Sequence, residues 1–142
     1  LLQTPDHVVM LHEMIHEVRV IPLDGRPHLP VAVPQWLGSS RGRWEGDTLV
    51  VETRHFAAEQ LYRGVSQASV HLTERFSVID ADTIEYAVTF DDPDRWTQPW
   101  TAMMSMPRTP GPMFEYACHE GNVGMRNTLE IARGEEAATV PR

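Results

Sequence analysis

With 142 residues, 42% of them hydrophobic and 23% charged, the chain has the size and balance of one globular domain spanning 1–142. Its net charge of −8, with basic residues scattered along the chain, argues against nucleic acid as a partner, and no apolar run approaches the ~20 residues that a membrane helix needs. All twelve basic residues are Arg, so lysine chemistry (Schiff bases, lysine general bases, phosphate-loop lysines) is excluded, and the single Cys118 excludes an internal disulfide or a Cys-x-x-Cys metal site.

The chain opens at Leu1 without Met and without a basic-then-apolar signal segment, which reads as the cut edge of a longer protein. Arg19–Leu23 is strand-like and runs into an Asp24-Gly25 turn. Arg41–Arg54 predicts a hairpin about Gly46-Asp47, with Trp44 opposite Leu49 and Gly42 opposite Val51 on one face. Arg41 and Glu52 then meet on the other face as a surface ion pair. Ala57–Leu61 suggests a short helical turn within a long loop. Alternating polarity over Leu72–Val78 and Ile84–Phe90, joined through Asp80-Ala81-Asp82, predicts a second hairpin. Its expected register pairs Val78 with Ile84, Phe76 with Tyr86, Glu74 with Val88 and Leu72 with Phe90, giving one dry and one wet face. Asp91–Arg95 and Thr97–Pro99 read as loop. Trp100–Met106 and Met113–His119 read as strands joined by the Pro- and Gly-rich Arg108–Pro112. Val123, Met125, Leu129 and Ala132 predict a short C-terminal helix packed on the outside, capped by Gly134, with 135–142 as a frayed tail. The fold class is therefore mainly β: an antiparallel meander closing into a lipocalin-like barrel or sandwich, with that short helix.

The stretches Gln3-Thr4-Pro5, Leu23–His28, Gly42–Thr53, Thr73–Phe76, Asp92-Pro93, Trp96, Pro99-Trp100 and Glu115–Cys118 cover most of the chain, and the most specific is Trp44-Glu45-Gly46-Asp47-Thr48-Leu49-Val50-Val51. In these the chain resembles a large family of uncharacterised secreted proteins of soil bacteria. Members of that family usually carry an N-terminal export signal and a preceding segment. The resemblance thus implies a secreted or periplasmic protein, and it supplies no catalytic residues because the family has no assigned activity.

His12-Glu13-Met14-Ile15-His16 matches the His-Glu-x-x-His pattern of zinc metallohydrolases. On a helix, His12 and His16 share a face and can bind one zinc while Glu13 activates water, with His7, His28 or Glu45 as third ligand. On a strand the two imidazoles stand ~13 Å apart and bind no common metal. The extended form of Val8–Leu23, with no cofactor, is the expectation; zinc is the alternative. Glu74 is the other anomaly, a carboxylate on the dry face of a hairpin. Paired with an inward Arg or Tyr it is structural; unpaired in a pocket it becomes an acid or base, with Tyr86 and His119 as partners. Cys118-His119-Glu120 cannot form a local nucleophile–base pair, because adjacent strand residues point to opposite faces. The aromatics Trp44, Phe76, Phe90, Trp96 and Trp100 could line a site for a flat or sugar-like ligand, or simply pack the core with Trp36. Met103, Met104, Met106, Met113 and Met125 read as adaptable core filler.

Three functions follow. The first is an exported β-barrel domain binding a small, partly apolar ligand. The second is a metal-independent enzyme (an isomerase, cyclase or hydrolase) using the interior Glu74. The third is an interaction subunit or homo-oligomer joined through an open sheet edge.

Overall fold

A computed structural model of the chain describes residues 1–57, 69–117, 121 and 123–139. It is mainly β, with two antiparallel sheets and one C-terminal helix. The small sheet has the order β1-β2-β3, with β1 at Leu2–Gln3, β2 at His7–Leu11 and β3 at Val18–Pro22. The large sheet is a five-stranded meander, β4-β5-β6-β7-β8. Its strands are β4 (Ser39–Glu45), β5 (Thr48–Arg54), β6 (His71–Asp80), β7 (Thr83–Asp91) and β8 (Trp100–Pro107). Neither sheet closes into a barrel among the described residues.

The two central hairpins take the register that the alternating polarity dictates. Trp44 faces Leu49 and Gly42 faces Val51 across the β4–β5 turn, where Gly46 adopts a φ of +60° that a side chain would resist. Phe76 faces Tyr86 and Glu74 faces Val88 in the next hairpin. Its turn is closed by Asp80, whose Oδ1 accepts from the Asp82 amide at 2.9 Å. The small sheet lies on the inner face of β4–β6, and the two share one core of Val8, Met10 and Ile21 with Leu49, Val51 and Phe76. Gly42 makes that approach possible: a Cβ there would stand 2.7 Å from Leu23 Cδ2 and 2.9 Å from Ile21 Cγ2.

Several expectations are corrected. The His12–His16 stretch is neither helix nor strand. It forms the tip of the β2–β3 hairpin, with a single 3-10 turn at Met14–His16, closed by the His12 amide donating to Glu17 O at 2.8 Å. Ile15 and His16 are left-handed, at φ 65° and 54°, which no α-helix accommodates. Residues 113–117 form no strand on β8. Pro107, Pro110 and Pro112 lack the amide hydrogens a returning ladder would need. Helix α1, Gly124–Thr139, runs through Gly134 instead of stopping there and extends into the expected tail. Residues 124–136 of α1 are all exposed, so this part of the helix does not pack on a sheet as expected. No described helix is long and apolar enough to cross a membrane. The methionines read as core filler are instead exposed: Met103, Met104, Met106, Met113 and Met125 all lie at the surface. The short helical turn expected at Ala57–Leu61 lies, beyond Ala57, outside the described residues.

Candidate functional site

The inner face of the large sheet carries a buried polar cluster where the two sheets meet. Glu74 projects from β6, and its side chain is 6% exposed; Arg19 reaches it from β3 and is 14% exposed. Arg19 follows the same alternation as Ile21, two residues on, so the strand that buries Ile21 must also point Arg19 inward. Its guanidinium is almost fully engaged. Nε donates to Ser40 Oγ at 3.0 Å, Nη1 to Glu74 Oε1 at 3.1 Å, and Nη2 to Thr53 Oγ1 at 3.1 Å and to Glu74 Oε2. Tyr86 donates its hydroxyl to Glu74 Oε1 at 2.9 Å, and Ser40 and Thr53 hydroxyls meet at 2.9 Å. A carboxylate with both oxygens bonded to a fork-shaped cation is geometrically fixed. That arrangement holds the two sheets together, with both Glu74 oxygens hydrogen-bonded.

Two clefts flank this cluster, and His12, Arg19, Glu74 and Tyr86 border both. The larger, about 310 Å³, is lined further by Met10, Leu11, Phe76, Met104 and Met106. The smaller, about 90 Å³, is lined by Trp36, Leu37, Phe56, Leu72, Val88 and Phe90 with Glu17 at its rim. His12 stands 3.7 Å from Glu17 there.

The aromatic residues expected to share one lining divide into separate groups. Phe90 stacks on Trp100, with ring centroids 4.4 Å apart, and both meet Trp96 edge-on. Phe76 packs against Tyr86 at 4.8 Å. Trp44 borders a third cleft with Leu49, Phe76, Val78 and Ile84, away from Phe90. His119, Cys118 and Glu120 lie outside the described residues. His16 turns away from His12 to meet the Tyr116 ring at 6.4 Å. Of the third ligands considered for zinc, Glu45 binds Arg43 and Arg75, and His28 Nδ1 bonds the Ser39 carbonyl at 2.8 Å. No group of three or more His, Cys, Asp or Glu among the described residues is placed to hold a metal ion.

The outer face carries a second, open network. Arg43 bonds Glu52 at 2.7 Å and Glu45 at 2.8 Å, and Arg75 bonds Glu45 at 2.9 Å. The expected partner of Glu52, Arg41, instead donates to the Arg26 and Pro27 carbonyls. These bonds hold the Glu45 and Glu52 carboxyls below the usual carboxylate range. Beside them, burial and the nearby Arg54 push the His71 imidazole below its ordinary value, and among the described residues its buried Nε2 has no hydrogen-bond partner, Glu52 Oε2 standing 3.9 Å away.

The sequence reading missed Arg19, Ser40, Thr53 and Met10 as neighbours of Glu74. The one signal for Arg19 was its parity with Ile21, a second inward charge of opposite sign to Glu74. Comparison with protein-family models, with curated proteins and with solved structures gives no match for this chain.

Proposed function

We propose that this chain is a small-ligand-binding β domain that takes a partly apolar molecule into the larger cleft between its sheets. The observation that carries the reading is that the inner face stays apolar past the point where the small sheet stops covering it. Phe76, Tyr86, Met104 and Met106 then line an open space of about 310 Å³ whose inner end is polar, at Arg19, Glu74 and His12. Ligand sites are of this size and pattern: mostly apolar walls with a few fixed polar groups that set orientation. In this reading the sheets act as the two walls of a lipocalin-like cup, an analogy of fold that names no ligand. A secreted or periplasmic setting, as the family resemblance implies, belongs to the same proposal.

Thermal-shift screening with fatty acids, aromatic compounds and short sugars, followed by tryptophan fluorescence, tests it. A bound apolar ligand at about a hundred times its Kd adds about 2.7 kcal/mol of stability, a readily measured rise in Tm. The variant Met104→Glu/Met106→Glu should lose that rise while keeping its own Tm, since both side chains are half exposed. If no apolar class shifts the Tm, or the charged variant binds as well as the parent, the proposal fails.

A further inference from the structure

The methionines of β8 are in the wrong place for core packing. Met103, Met104 and Met106 are 62%, 52% and 43% exposed on the edge strand of the sheet. An exposed strand position is better filled by a β-branched or aromatic residue, and thioethers there are prone to oxidation. Met104 and Met106, opposite Tyr86 and Ile84, share the inner face, with Cα atoms ~6.6 Å apart at the usual strand rise. Across the cleft, Met10 and His12 come from the β2 side of the small sheet and border the same space. Three methionines and one histidine therefore border one cleft, contributed by two sheets. Met side chains are unbranched and flexible, so rotation about Cα–Cβ and Cβ–Cγ can re-aim each sulfur.

This donor set is chemically selective. Thioether sulfur is a soft, uncharged ligand that suits copper(I) and discriminates against hard or borderline divalent ions. The one carboxylate bordering this cleft is already engaged, since Glu74 is bonded to Arg19 and Tyr86. We propose that the cleft binds a soft monovalent cation, copper(I) or its redox-silent analogue silver(I), through Met10, Met104 and Met106 with His12 as a fourth donor. The inference does not rest on the apolar-ligand reading; the ion and an organic ligand would be alternative occupants of one space.

The test uses the full chain carrying Cys118→Ser, because that single thiol would otherwise compete for silver. With methionine methyl groups labelled with carbon-13, silver(I) is added in chloride-free buffer and followed by NMR and calorimetry. One equivalent should bind and should shift the methyl resonances of Met10, Met104 and Met106, leaving Met103, which alternates to the outer face, in place. Met104→Leu/Met106→Leu keeps the apolar volume and removes the sulfur. It should weaken silver binding at least tenfold without changing the Tm. Absence of stoichiometric binding, shifts confined to the other methionines, or wild-type affinity in the Leu variant would each overturn the assignment.

Discussion

The large sheet carries an ion-pair network on each face, and they differ in what surrounds them. On the inner face Arg19 and Glu74 are largely buried between two sheets, and each charge depends on the other. On the outer face Arg43, Arg75, Glu45 and Glu52 are all open to water, and they lie over Val50, a valine with no exposed surface. The register places Val50 between Arg43 and Arg75, so the aliphatic stems cover it while the guanidinium heads stay wet. The same residue types thus form an inter-sheet fastening on one side and a solvated cover on the other. Desolvation separates the two: a buried charge that loses its partner has no water to replace it, whereas an exposed one does.

The sharpest way to break this comparison is to remove one member of the inner pair. Arg19→Met leaves the Glu74 carboxylate buried with only the Tyr86 hydroxyl, and Glu74→Gln leaves the guanidinium short of its counter-charge. Each single change should cost about 3–5 kcal/mol, whereas Arg19→Met/Glu74→Met together should recover most of it, because the penalty belongs to the unpaired charge. Urea unfolding midpoints of the four proteins measure this. Single losses below about 1 kcal/mol would mean that the inner pair behaves like a surface pair.

Acid pH acts next, at the rim of the outer network. Burial lowers the imidazoles of His28 and His71, against the weaker opposing pull of the Ser39 carbonyl on His28 and of Glu52 and Asp91 on His71, while Arg54 adds to the lowering of both. The unfolded chain therefore takes up protons first as the pH falls. The contribution of these groups to stability is fully present above their ordinary value of 6.5 and is lost as the pH falls through the depressed folded-state values. Denaturation midpoints should hold above the ordinary histidine value and drop as the pH falls below it. His71→Gln should flatten that drop. An unchanged slope in this variant would assign the acid sensitivity elsewhere.

The smallest effect belongs to the outer network itself. Arg43→Ala should cost under about 1 kcal/mol, since exposed pairs contribute little. The part that comes from the charges should vanish in about 1 M salt, where the Debye length is about 3 Å. The part that survives salt measures the packing of the arginine stem over Val50, and Arg43→Met, which keeps the stem, should recover it.

Local sequence was enough for everything that alternation and turn chemistry control. The registers of β4–β5 and β6–β7, the Gly46 and Asp80 turns and the inward position of Glu74 all follow from a side-chain period of two, because slipping by one residue would expose the whole apolar set. The sequence also pointed to a C-terminal helix, through the spacing of Val123, Leu129 and Ala132 with Met125 nearby, though not to its bounds: Val123 precedes α1, and one glycine, at about 1 kcal/mol, is too weak a signal to stop a helix. What local pattern could not decide was which surfaces meet. The partner of Glu74 lies 55 residues away in sequence on another sheet, and the partner of Glu52 is Arg43, not its register neighbour Arg41, because Arg41 is drawn to the Arg26 and Pro27 carbonyls. The His12–His16 motif has the same five letters on a helix, a strand or a hairpin tip. Only the pairing of β2 with β3, which forces the chain to reverse between Leu11 and Val18, made it a tip. Met10, Met104 and Met106 likewise border one cleft only because two sheets, distant in sequence, pack over a glycine at position 42.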